Sequence, residues 1–221
     1  MSFKYKNSNV QNIIEALQRA NNPKIANIKY NLLASEQKIF RQQFENKKIL
    51  VAGSGLGQDS LKLARFNEHV TGIEKFKELV EYAQKFQRQL GVANVSFLQQ
   101  DFMSTSFTDL SFDISVLNMG TICNFSMNDQ KKIFTEMMRI SKTFYFSFYL
   151  AGHYHTEQRL QMYQQEWDHI LTVKEFCISN DLGFGSTGIS PEDLKQMSYD
   201  LGYSICFLPL NEFSMMGCLT S

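Results

Sequence analysis

Gly53, Gly55 and Gly57 fall on alternate positions of KILVAGSGLGQDSLKLA, between a short β-rich run and a helix-like stretch. Glycine at such a handover permits positive φ and lets a ligand approach the backbone, while the helix start beyond it offers free N–H groups. The dinucleotide fingerprint is G-x-G-x-x-G; here the third glycine comes one residue early and Gln58 stands in its place. Alone, the loop reads equally well as a tight turn. Two acids change that reading. Glu74 closes the next strand-like run, HVTGIE, and one planar carboxylate can accept from both hydroxyls of a ribose diol. Asp101 closes a third run, NVSFLQQD, ahead of Phe102 and Met103. A carboxylate there can accept from an adenine amino group while the neighbouring ring stacks on the base.

These features meet only if three strand ends lie side by side, and the hydrophobic rhythm predicts that arrangement. From Lys48 the chain alternates: strand KILVAG, helix GQDSLKLARF, strand HVTGIE, helix KFKELVEYAQKFQRQLG, strands NVSFLQQD and FDISVLNMG, helix SMNDQKKIFTEMMRI, strand TFYFSFYLAG. Ser126 and Asp129 form a capping-box-like start to that last helix. Alternating strands and helices mean βαβ units and a mainly parallel sheet. Two helices come first, NVQNIIEALQRAN and YNLLASEQKIFRQQF, separated at Pro23. After Gly152 regularity lapses: HTEQRLQMYQQEWDHIL reads as helix, TVKEFCISN as one inserted strand and DLGFGSTG as a glycine-rich loop. The helix SPEDLKQMSYDLG, with Ser190 as N-cap and Pro191 at N1, then leads to strands YSICFLPLNEF and SMMGCLTS. An insert at this point of an α/β sheet sits over the carboxyl ends of the strands.

Glycine loop, acid after strand two and acid after strand three come in order, and with them the sequence resembles the class I S-adenosylmethionine-dependent methyltransferases. The resemblance rests on ILVAGSGLGQDSLKLA, VTGIE, FLQQDF, FDISVLNMG and SPEDLKQMSYDLGYSICFL. It implies an α/β, doubly wound, Rossmann-like sheet of seven mainly parallel strands with helices on both faces. An N-terminal helical cap would occupy residues 1–47 and the methyltransferase domain residues 48–221, with an insert at about 153–189. It also implies S-adenosyl-L-methionine as cofactor, bound by Ala52, Gly53, Ser54, Gly55, Gly57, Glu74, Lys75, Asp101, Phe102, Asn118, Met119 and Gly120. One position departs from the family pattern. The acid often found two residues before the first glycine is Val51 here, which leaves room for a cofactor-binding protein without catalysis. An NAD-dependent oxidoreductase is disfavoured by the misplaced third glycine and by the acid at strand three.

Methyl transfer needs an aligned, water-excluded acceptor rather than a catalytic triad. Asn118, at the head of NMGTICNF, offers a donor and an acceptor near the methionine end. It is followed by Met-Gly-Thr, not by the Pro-Pro-aromatic run of amino-type nucleic-acid methyltransferases. His153 and His155 read either as surface residues or as a general base for the acceptor, and no metal site is expected from them. Arg159, Tyr163 and Trp167 follow His155 on one helical stripe, which packs the insert or grips an anionic or aromatic acceptor; packing is the favoured expectation.

Composition sets the outer limits. The chain has 221 residues and no net formal charge, so no global field draws it to nucleic acid or membrane. Residues 1–50 carry nine Lys/Arg against three Asp/Glu, expected to be solvated helix faces. Cys123, Cys177, Cys206 and Cys218 are too dispersed for a zinc site and suit a reducing compartment. No signal peptide or membrane span is read. The expectation is a cytoplasmic enzyme acting on a small-molecule methyl acceptor, with nucleic acid an improbable partner and the oligomeric state open.

Overall fold

Successive residues of the first strand face opposite ways. Ile49 and Val51 enter one apolar cluster and Leu50 and Ala52 another, so the sheet is buried on both faces. The computed structural model describes residues 10–167 and 171–221. Helices α1 (Val10–Ala20) and α2 (Asn27–Gln43) precede β1 (Lys48–Ala52), α3 (Gln58–Leu63), β2 (His69–Glu74), α4 (Lys77–Leu90) and β3 (Val95–Gln99). Then come β4 (Phe112–Leu117), a 3-10 turn (Thr121–Asn124), α5 (Met127–Ile140) and β5 (Ser141–Tyr149). The insert contains α6 (His153–Glu166), β6 (Leu171–Lys174), β7 (Cys177–Asn180) and β8 (Gly185–Thr187), and α7 (Pro191–Asp200), β9 (Ser204–Asn211) and β10 (Ser214–Thr220) complete the chain.

The seven-stranded sheet has the order β3-β2-β1-β4-β5-β10-β9. The five strands from β3 to β5 pair in parallel, and only β10 runs against its neighbours. Parallel pairing brings the carboxyl ends of β1 to β5 to one edge, and the order reverses between β1 and β4. That is where an open α/β sheet forms its ligand crevice. Helices α3 and α4 cover one face with Leu61, Leu63, Val80 and Ala83; α5 and α7 cover the other with Ile133, Phe134, Met137, Leu194 and Met197. Helix α2 joins both clusters through Leu32, Phe40 and Phe44, and each buried side chain of that size contributes about 2 kcal/mol.

The insert differs from its sequence pattern. Its helix ends at Glu166, with Trp167 already extended, and Asp168, His169 and Ile170 lie outside the described residues. TVKEFCISN is not one strand: Glu175 adopts φ 52° and splits it into β6 and β7. The glycine-rich stretch then supplies β8, which closes a three-stranded antiparallel sheet. Strands of four, four and three residues are too short to display an alternating pattern. The insert leaves the main sheet at Tyr149 and rejoins it there, since Ile189 N donates to Tyr149 O and Leu150 bridges Ile189.

Candidate functional site

The glycine loop and the acid of β2 form one hydrogen-bonded unit. Gly55 N donates to Glu74 Oε2 at 3.1 Å, while Lys75 N and Phe76 N donate to Oε1 at 2.7 and 3.3 Å. Burial raises the Glu74 carboxyl above its ordinary range, and those three amides partly offset it. Oε2 keeps a lone pair for a ligand hydroxyl. Ser54 N ties the loop to Ile73 O at 2.9 Å. Gly53 and Gly55 take φ of 63° and 52°, which an L side chain rarely adopts. Gly57 combines both demands, with φ of 83° and close packing. A Cβ there would come within 2.7 Å of the Phe97 ring and 2.8 Å of Ala83, so its absence lets α3 seat closely against the sheet.

Asp101 lies two residues past β3. Its Oδ1 accepts from Met103 N at 3.0 Å and its Oδ2 from Lys75 Nζ at 3.2 Å, on the exposed rim. The Phe102 ring packs edge-on to Phe125 and stands 3.6 Å from where a Gly53 Cβ would be. The donor set therefore fits a nucleoside: a bare backbone at Gly53, a fixed acid for a diol and a rim acid beside an aromatic. Leu17 of α1 lies 3.2 Å from the equivalent Cβ position on Gly55, so the N-terminal helix roofs this groove.

The ends of β4 and β5 carry a second, largely buried polar cluster. Asn118 Nδ2 donates to Asp59 Oδ2 at 2.6 Å, and Asp59 Oδ1 accepts from Gln37 Nε2 at 2.9 Å. Met119 and Gly120 both have positive φ, 61° and 68°. That pair, strained at Met119, is held by contacts that include Met119 N to Glu36 Oε1 at 2.9 Å, Gly120 N to Ser147 Oγ at 2.8 Å and Tyr149 Oη to Met119 O at 2.9 Å. Lys29 Nζ donates to Tyr149 Oη at 2.8 Å and to Met119 O at 3.2 Å. Lys29, Glu36, Tyr149 and Arg159 are all buried. Burial pushes the Glu36 carboxyl up to about 7 and the Tyr149 phenol well above its ordinary range.

The histidines stand apart from both clusters. His153 is exposed and packs edge-on against Phe176; His155 is half-buried against Tyr154, its Nδ1 lacking a partner among the described residues. Neither makes a hydrogen bond or ring contact with Asn118, Glu36 or Tyr149. Of the stripe on α6, Tyr163 and Trp167 stack at 4.2 Å, which is packing, and Arg159 turns toward Tyr149.

A family model described as a methyltransferase domain matches residues 43–197, from the last turn of α2 into α7. The chain belongs to the S-adenosylmethionine-dependent methyltransferases. YcgJ, an uncharacterized methyltransferase of Bacillus subtilis, is 32% identical over 95 residues, 43% of this chain and 36% of that protein. The match thus spans little more than a third of that relative's length. Solved structures of the same fold include the PH0226 protein of Pyrococcus horikoshii, with a TM-score of 0.69 and 17% identity over 90% of this chain and 95% of that one. Another is the magnesium protoporphyrin IX methyltransferase of Synechocystis with bound SAM, with a TM-score of 0.65 and 14% identity over 98% and 94% of the two chains.

In this methyltransferase the carboxylates near the β4 end do not come from β1. Val51 is buried in the core, and Glu36 and Asp59 arrive instead from α2 and α3. Reading the sequence missed both, together with Lys29, Gln37 and Tyr149. A signal for three of them existed. Lys29, Glu36 and Gln37 lie on the same helical stripe as Leu32, Leu33 and Phe40, so charged and polar groups occupy apolar-face positions.

Proposed function

We propose that the protein transfers the methyl group of S-adenosylmethionine to a small-molecule acceptor held against the ends of β4 and β5. When bound, the cofactor supplies an electrophilic methyl on a sulfonium. Gly53, Gly55, Glu74, Asp101 and Phe102 would hold its nucleoside, and Asn118, braced by Asp59, its methionine end. One observation carries the reading: the glycine loop and Glu74 are joined through the 3.1 Å bond from Gly55 N at the switch point of the sheet. Enclosure supports a compact acceptor, because α2 and α6 bury Tyr149, Glu36 and Arg159 almost completely. Lys29, part of the basic N-terminal segment, faces this interior and adds nothing to an outer nucleic-acid surface.

Glu36 is the preferred proton acceptor, ahead of His153 and His155, because it sits beside the Met119 backbone with a carboxyl poised near neutrality. Helices α1 and α2 of the cap and α6 of the insert would then flank the acceptor. Four free cysteines, two of them directly opposite each other on β9 and β10, support a reducing, cytoplasmic setting. No described helix is long and apolar enough to cross a membrane.

Calorimetric titration with S-adenosylhomocysteine, with NAD in parallel, tests the proposal. Micromolar binding of the former alone, weakened in Glu74→Ala, is the expected result. Binding of NAD alone would establish an oxidoreductase site. Cofactor binding without transfer to any of a broad acceptor set would favour the non-catalytic reading that Val51 leaves open.

A further inference from the structure

Arg159 is the largest side chain among the described residues that is wholly shielded from solvent. A guanidinium is always charged and carries five N–H donors, so full burial demands partners. It has one: Nη2 donates to the Phe176 carbonyl. Nε and Nη1 have no partner among the described residues, and no carboxylate there forms an ion pair with Arg159. The Tyr149 ring lies 5.5 Å from the guanidinium carbon. A buried cation left in this state is strongly unfavourable unless something else completes its shell.

Two further orphaned atoms belong to residues near the same tyrosine. Oε2 of Glu36 and Oε2 of Glu166 also lack partners among the described residues, and the charges of Glu36, Glu166 and Arg159 all act on Tyr149. Glu36 Oε1 accepts from Met119 N, and Tyr149 Oη donates to Met119 O, so this incompletely satisfied polar cluster lies against the end of β5, next to the Met119 backbone. We propose that Arg159 binds the carboxylate of the methyl acceptor, so that the substrate is a compact monoanion anchored in the insert with its nucleophile directed toward Met119 and Asn118. This deepens the methyltransferase reading and rests on it.

The geometry favours a carboxylate. Whichever of its two hydrogens Nη2 gives to Phe176, a two-pronged edge remains, with either Nε or Nη1, and that edge matches a planar carboxylate. One guanidinium balances one negative charge, whereas a phosphate dianion would carry a larger desolvation penalty into an interior that includes Tyr149 and Tyr163. Glu166 does not forbid the anion: burial raises its carboxyl, and a protonated carboxyl donates to an anion rather than repelling it. Glu36 is engaged on the Met119 side of the cluster, where it serves the nucleophile. Phe176 lies on the β6–β7 turn, so the backbone that orients Arg159 belongs to the insert as well.

The test uses the full chain saturated with S-adenosylhomocysteine and titrated with benzoate, with its neutral isostere benzamide and with inorganic phosphate, all at fixed ionic strength. Wild type, Arg159→Gln and Arg159→Lys are compared by calorimetry and thermal melting. Benzoate should bind saturably, benzamide at least about tenfold more weakly, and Arg159→Gln should lose about tenfold in benzoate affinity, with Arg159→Lys between. Equal benzoate affinity in wild type and Arg159→Gln, no preference over benzamide, or no benzoate binding would overturn the assignment. Tighter binding of phosphate would overturn the choice of a monoanion. Should Arg159→Gln fail to fold, Arg159→Lys and the benzamide contrast decide. Cofactor titration is a separate readout: wild type that binds benzoate but not S-adenosylhomocysteine would sink methyl transfer and leave the anion site standing.

Discussion

The Glu74 carboxylate receives the Gly55 amide at 3.1 Å, so the acid that ends β2 also fixes the shape of the loop that ends β1. In the proposed site, ligand recognition and loop geometry are one device, and a substitution at either residue is expected to disturb both.

Glu74→Gln keeps the shape of the side chain but presents an amide group to backbone donors. Affinity for S-adenosylhomocysteine should fall by roughly ten- to a hundredfold, the range for losing hydrogen bonds to a charged acceptor. Calorimetry on the two proteins measures this, and unchanged affinity would remove Glu74 from the ribose site.

Asp101→Ala separates binding from stability. The pair with Lys75 is exposed, with side-chain exposures of 37% and 65%, so unfolding in urea should change by less than about 1 kcal/mol. Cofactor affinity should still drop about tenfold if the carboxylate meets the adenine. A loss of stability without loss of affinity would make Asp101 a turn residue held by Met103.

Gly120→Ala and Gly202→Ala contrast strain with collision. Both positions have positive φ, but a Cβ at Gly202 meets nothing within 4 Å, whereas at Gly120 it falls 2.4 Å from the Tyr149 ring. Substitution at Gly202 should destabilise by about 1 kcal/mol and at Gly120 by about 3 kcal/mol or more, with Tyr149 displaced. Equal melting temperatures would show that the β4 end has another conformation within easy reach.

Glu36 should leave a signature in the pH dependence of stability. Its folded-state value is raised from 4.5 to about 7, so the native protein holds this proton more tightly than the unfolded chain does. Its contribution is fully present below about 4.5 and is lost as pH rises through about 7, on the order of 3 kcal/mol. Wild type should therefore lose that much stability relative to Glu36→Gln across this window, measured by denaturant unfolding at each pH. Parallel curves would mean that Glu36 binds its proton no more tightly in the folded protein than in the unfolded chain.

The strand-end features were legible because each is local: a glycine at a handover, an acid closing a strand, and a hydrophobic rhythm that separates strand from helix. The family match from residue 43 to 197 agrees with that reading. The second cluster was hidden for two reasons. Lys29 and Glu36 act on Met119, 90 and 83 residues away in sequence, and no local pattern ties such positions together. They also looked like ordinary members of a charged N-terminal segment until α2 was seen to bury them. The β-sheet of the insert was hidden for a different reason: its register depends on the left-handed turn at Glu175, which no residue type advertises.

Trp167 is the chain's single tryptophan, and it ends α6 stacked on Tyr163 with Phe184 at 5.9 Å. All emission of the indole thus arises from the end of the helix that carries Arg159. The protein carries a built-in optical gauge: any event that moves α6 against the β5 end must change this fluorescence, without a label and without knowing the acceptor.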